Sequence, residues 1–134
     1  MPDSANKITA EILIKVSREL PNVRLWRQNA GMGLPLAYVH QASAALLKGN
    51  IPAAMAALKQ RPFRAGVTGT ADLSGIAGPN GRRVECEIKA GGDRQQHEQV
   101  SFQAMIEGLG GIYIIARSAD QCVADLKKRL AELG

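Results

Sequence analysis

The chain has 134 residues, 46% hydrophobic and 22% charged, proportions of a single globular domain large enough to bury about two-thirds of its unfolded surface rather than of a disordered segment. No apolar run approaches the ~20 residues of a membrane span, and Met1 to Lys7 lacks the apolar core of a signal peptide, so a soluble cytoplasmic protein is expected. The net charge of +5 hides an asymmetry: Leu20 to Ala71 holds Arg24, Arg27, Lys48, Lys59, Arg61 and Arg64 but not one Asp or Glu. Such a distribution suits a basic surface for a polyanion beside an acidic site, although an ordinary solubilising surface accounts for it equally well.

Along the chain, Ile8, Ile12, Leu13, Val16 and Leu20 form one side of an amphipathic helix that Pro21-Asn22 ends. Val23 to Gln28 reads as a short strand, followed by a flexible turn, Asn29 to Gly33. Two alanine-rich helices follow, one opened by Pro35 and closed by Gly49-Asn50, the next opened by Pro52 and closed before Pro62. Val67 to Ala77 and Arg83 to Lys89 are extended runs joined by the turn Gly78-Pro79-Asn80-Gly81, which predicts a β-hairpin. A helix from about Gln95 to Leu109 buries Phe102, Met105, Ile106 and Leu109, with Gln99 at the edge of that stripe. Ile112 to Ala116 is apolar on both faces, as at the centre of a sheet. Ser118-Ala119-Asp120-Gln121 matches a capping box and opens a last helix, which buries Cys122, Val123, Leu126 and Leu130. Cys86 and Cys122 form no CxxC pattern and read as buried small hydrophobes. The order α-β-(αα)-β-β-α-β-α gives an α/β fold, a mixed sheet flanked by helices, in one domain over residues 1–134.

The chemistry concentrates in Asp72 and, fifteen residues on, Glu87-Ile88-Lys89. Alternation puts Glu85, Glu87 and Lys89 on one strand face and Val84, Cys86 and Ile88 on the other. An antiparallel hairpin brings Asp72 and Glu87 side by side near its open end. Two carboxylates and an ammonium together can hold a divalent metal beside a phosphate. The plainer readings are a turn residue for Asp72 and a solvated strand face for Glu87 and Lys89. Trp26, Tyr38, Phe63, Phe102 and Tyr113 are too dispersed for a base-stacking platform, which favours contacts to a backbone or a duplex. Arg27, Asn29, Arg61, Arg64 and Arg94 are candidate phosphate contacts. His97 lacks a histidine partner nearer than His40, which argues against a histidine–metal nuclease.

Gly66-x-x-Gly69-x-x-Asp72-Leu73-x-Gly75, Gly81-Arg82, Glu87-x-Lys89, Gln99 and Gly110-Gly111-x-Tyr113-x-x-x-Arg117-Ser118 together resemble the virus-type replication-repair nucleases (VRR-NUC), a branch of the PD-(D/E)xK superfamily. The resemblance extends to Arg27-x-Asn29-x-Gly31 and the opening helix; the helices between Pro35 and Arg61 look like an insert. Ala71 stands where the superfamily name implies proline, a position that shapes the turn. The resemblance implies a restriction-endonuclease-like fold and Mg²⁺ or Mn²⁺ on Asp72, Glu87 and the carbonyl of Ile88. It also implies that Lys89 positions the water and offsets transition-state charge, acting as a base only if its pKa is depressed. Gln99 orients that water or Lys89, and Glu11 is an acid supplied by the first helix, although an ion pair with Lys15 explains it as well. Stand-alone members of this size imply a homodimer cutting branched DNA, notably four-way junctions, in a bacterial or phage-infected cytoplasm. A nuclease without junction preference and a non-catalytic DNA-binding domain of the same fold are the alternatives.

Overall fold

The computed structural model describes residues 4–28 and 31–134, and the chain divides into two compact units. The larger comprises residues up to 28 together with 68–134. It contains α1 (Ala5–Glu19), β1 (Val23–Arg27), β4 (Leu73–Ala77), β5 (Arg82–Ile88), α4 (His97–Gly108), β6 (Ile112–Ala116) and α5 (Ala119–Leu133). The smaller, residues 29–67, contains β2 (Gly31–Gly33), α2 (Leu36–Leu47), α3 (Ile51–Leu58) and β3 (Phe63–Ala65). Its two short strands pair antiparallel, Gly31 opposite Ala65. Neither strand is signalled in the sequence, where Asn29 to Gly33 reads as a turn.

In the larger unit four strands form a mixed sheet in the order β1-β4-β5-β6, with helices on both faces. β1, β4 and β5 are antiparallel, and β6 is parallel to β5 across the α4 crossover. Ser4 caps α1 by accepting the Lys7 N–H, and Ser118 caps α5 by accepting that of Gln121. The inward stripe of α1, Ile8, Ile12 and Val16, joins Cys122, Val123 and Leu126 of α5 over Leu73, Val84, Cys86, Ile88, Ile112 and Ile114. Lys15 to Asp120 and Lys127 to Glu19 cross-link the same two helices at the surface. On the opposite face α4 covers a smaller cluster of Ala71, Phe102, Ile106 and Tyr113.

Three sequence expectations change. β6 lies at the edge of the sheet; it is apolar on both sides because helices cover both its faces. Only Phe102 and Ile106 of the α4 stripe are buried, with Met105 about half exposed and Leu109 83% exposed. The cause is spacing, since an i, i+4 pair suffices to cover so narrow a cluster. Gln121 does not complete a reciprocal capping box; its amide accepts the Arg117 N–H and donates to the Ile115 carbonyl, covering part of the open edge of β6.

Cys86 and Cys122 are buried, as expected, with Sγ atoms 3.4 Å apart and no disulfide. That contact, and after it burial, push the Cys86 thiol up, which makes it a poor nucleophile. No helix among the described residues is long and apolar enough to cross a membrane.

Candidate active site

The turn over residues 78–81 sets the hairpin register with Leu73 opposite Cys86 and Ser74 opposite Glu85. One step further toward the open end, Asp72 lies across from Glu87, and alternation turns both toward the α4 face. Asp72 has left the ladder: its Oδ2 accepts the Ile88 N–H at 2.8 Å, and its carbonyl accepts the Gln28 N–H at 2.9 Å. The carboxylate therefore closes the end of the ladder while remaining open to solvent. In a strand the N–H and C=O of one residue face the same neighbour, so the Ile88 carbonyl is directed to the side where Asp72 ends β4.

The face carrying Glu85, Glu87 and Lys89 is not solvated. Their exposures are 0, 3 and 8%, because α4 and the loop before it cover this side of the sheet. The carboxylate of Glu85 is fully occupied within the sheet, accepting from Ser74 Oγ at 2.8 Å and Arg83 Nε at 2.6 Å. Glu87 is held differently. Its Oε1 accepts from Gln99 Nε2 at 2.6 Å and lies 3.5 Å from Lys89 Nζ, while its Oε2 is buried without a hydrogen-bond partner. Burial and the neighbouring Asp72 carboxylate push its pKa up to about 7, against the smaller opposing pull of Lys89. A buried carboxylate with one unpartnered oxygen, facing a second carboxylate with a single ammonium beside it, leaves a net negative charge that a proton or a cation can offset.

Gln99 occupies this place because it is the third residue of α4. There it completes a capping box: its Oε1 accepts the Gln96 N–H at 2.8 Å, which leaves Nε2 for Glu87. The helix start is seated by Gly69, at φ +82°, where a Cβ would lie 2.3 Å from the Glu98 carbonyl. Gly69→Ala is therefore expected to cost about 2–4 kcal/mol in urea unfolding. Because the displaced element carries Gln99, the same variant is also expected to loosen the Gln99–Glu87 hydrogen bond. Full stability in this variant would mean that the close approach is not what holds α4. Arg117 fixes the loop between Lys89 and α4, donating to the carbonyls of Gly91 and Asp93, each at 3.0 Å. Gln95 reaches Gln103 at 2.9 Å and the Tyr113 hydroxyl at 3.4 Å. Tyr113 packs edge-on to Phe102, and burial raises its phenol to about 12.

The structure thus brings together Asp72, Glu87, Lys89, Gln99 and the Ile88 backbone. It does not bring Glu11 there. That side chain is exposed, 3.8 Å from Lys7 rather than paired with Lys15, on the helix that packs against the opposite face of the sheet. Arg27, opposite Leu73, also belongs to that opposite face. Arg94 is exposed in the loop before α4, and Arg61 is exposed in the smaller unit. Asn29 and the side chain of Arg64 lie outside the described residues. Sequence reasoning missed Gln28, which continues the β1 register to a place beside Asp72, and Ser74, whose hydroxyl occupies Glu85. The hairpin register itself places Ser74 opposite Glu85, and extending it by one strand would have found Gln28.

Among the described residues no group of three or more His, Cys, Asp and Glu side chains is gathered to hold a metal; the pair Asp72 and Glu87 needs a backbone carbonyl and waters to complete a shell. No family model, curated protein or solved structure matches the chain.

Proposed function

We propose that the chain is a divalent-metal-dependent DNA endonuclease of the PD-(D/E)xK type, resembling the VRR-NUC branch and acting as a homodimer on four-way junctions. The observation that carries the reading is the orphaned Glu87 Oε2, buried opposite Asp72 and beside Lys89. Its donor set is all oxygen, two carboxylates and the Ile88 carbonyl, which suits Mg²⁺ or Mn²⁺ and leaves positions for water. When bound, such an ion supplies a lowered pKa for its water and charge neutralisation on a phosphoryl oxygen.

The protein's own residues set up the rest. Asp72 is held by the Ile88 N–H, so its free oxygen has a defined direction. Gln99 fixes Glu87 Oε1 and leaves Oε2 unspent. The Lys89 ammonium, buried next to that carboxylate, places a positive charge where a phosphodiester gathers negative charge in its transition state. A catalytically silent DNA-binding domain has no need of two apposed carboxylates, one of them buried and unsatisfied, since carboxylates repel a phosphate backbone.

Junction preference and the homodimer rest on the resemblance and on symmetry, because paired incision of a four-way junction calls for two sites related by a two-fold axis. The test is a cleavage panel of junction, flap, splayed and linear DNA with and without Mg²⁺ or Mn²⁺. Symmetric junction cleavage that persists against excess linear duplex is expected. Equal cutting of all substrates would leave a nuclease without junction preference, and binding with no cutting on any substrate would establish a DNA-binding module.

A further inference from the structure

The smaller unit is built inside out. Its helices α2 and α3 contain no Lys, Arg, Asp or Glu and meet through alanines: Ala42, Ala54 and Ala57 are buried, with Ala45 packed against them. Their large side chains are left outside, Leu36, Val39, Leu46 and Leu47 on α2 and Ile51, Met55 and Leu58 on α3. An alanine seam buries little, and units of about 40 residues seldom stand on so small a core alone.

These outward residues are ordered. Leu36, Val39, Ser43 and Leu46 succeed one another at intervals of three, four and three residues, and Ile51, Met55 and Leu58 at four and three, the spacing of a helix–helix seam. At roughly 100° per residue, each stripe lies between a quarter and a third of a turn from the alanines, in the same rotational sense. The link Lys48–Asn50 is short enough to make the helices antiparallel neighbours. With one helix reversed, both stripes fall on the same side of the pair.

We propose that this face is the contact between two copies of the chain, their helix hairpins closing into a four-helix bundle. Knob spacing on both helices asks for a helical partner, and a two-fold axis lets one face serve both sides. The seven side chains, from 37% exposed at Val39 to 91% at Leu47, leave roughly 800 Å² open per chain, half of a standard interface of about 1,600 Å². Helices without charge offer nothing to an acidic partner, and an interfacial membrane helix carries Lys and Arg along its polar face. The bundle gives a surface to the homodimer of the proposed nuclease and rests on that reading only for its purpose.

The test is therefore molecular mass, which needs neither metal nor DNA. Sedimentation equilibrium of the full chain up to about 100 µM is expected to give twice 14.3 kDa. Leu46→Glu with Met55→Glu returns the mass to that of one chain with unchanged far-UV circular dichroism. The milder pair Leu46→Ala with Met55→Ala, which carries no folding penalty from buried charge, weakens association at least tenfold. A monomeric wild type at the highest concentration, or a dimer indifferent to both pairs, overturns the proposal. So does flotation of the wild type with phosphatidylglycerol vesicles that Leu46→Glu with Met55→Glu abolishes, since the face then belongs to a membrane. An inactive dimer would sink the nuclease reading and leave this one standing.

Discussion

Asp72→Asn and Glu87→Gln are each expected to lower metal-dependent DNA cleavage by about a thousand-fold, roughly 4 kcal/mol of barrier, while Glu87→Gln makes the metal-free protein more stable near pH 8. The two effects run in opposite directions for one physical reason. In the folded protein Glu87 is 3% exposed, faces Asp72 and keeps Oε2 unpartnered, so its negative charge costs stability until a cation offsets it. An amide at that position keeps the shape and removes the charge. It also removes half of the anionic pair that would hold the ion. A residue present only to support the fold behaves otherwise, losing stability and activity together. Cleavage of a four-way junction in Mg²⁺ and in Mn²⁺, set beside urea unfolding in EDTA, separates the cases. Asp72→Asn with wild-type cleavage would remove the metal-site assignment. Asp72→Asn also weakens the acceptor for the Ile88 N–H, so its stability change is expected to be smaller or reversed. The pair of variants thus distinguishes a charge effect from a ladder-end effect.

The hairpin that carries this site was legible because its determinants are local. A Gly-Pro-Asn-Gly turn between two extended runs sets the register, and the register alone places Asp72 across from Glu87. The alternation of Glu85, Glu87 and Lys89 was equally plain, but their burial was not, because a period of two states only which residues share a face. What covers that face is decided by α4, whose start depends on the close approach at Gly69. The role of Gln99 was likewise only half visible. Its type and helical position marked it for the site, yet that it spends one end on the helix cap and the other on Glu87 requires the helix to be in place. Glu11 shows the converse limit: an acid on the first helix fits the pattern, whereas the face against which that helix packs excludes it from the pair. β6 marks a third kind of ambiguity. An all-apolar strand signals that two faces are covered and says nothing about how many neighbours it has in the sheet.

Stability of the metal-free protein is expected to fall as pH rises from about 5 to about 8, and to be restored by Mg²⁺ or Mn²⁺ mainly at the upper end. The sign follows from Glu87. Its pKa is raised from 4.5 to about 7 in the folded protein, so between these values the folded state holds a proton that the unfolded chain has released. Stability therefore drops through this window, by on the order of 2–3 kcal/mol in total, and is level above it with respect to this group. A divalent ion competes for the same oxygens, so its contribution is small where Glu87 is protonated and grows as the proton leaves. At a hundredfold excess over its dissociation constant it adds about 2.7 kcal/mol, comparable to what deprotonation removed. Melting temperatures at pH 5.5 and 8.0, in EDTA and in saturating Mn²⁺, read both effects, with each kcal/mol worth a shift of a few degrees, about 3–5 °C, at this chain length. Glu87→Gln isolates the group: the difference between wild type and variant should slope with pH in EDTA, and the variant should lose the metal response at both pH values. If wild type and variant run parallel from pH 5 to 8, Glu87 is not the titrating carboxylate. If Mn²⁺ protects the variant as well as the wild type, the ion binds elsewhere and Asp72 and Glu87 do not form its site.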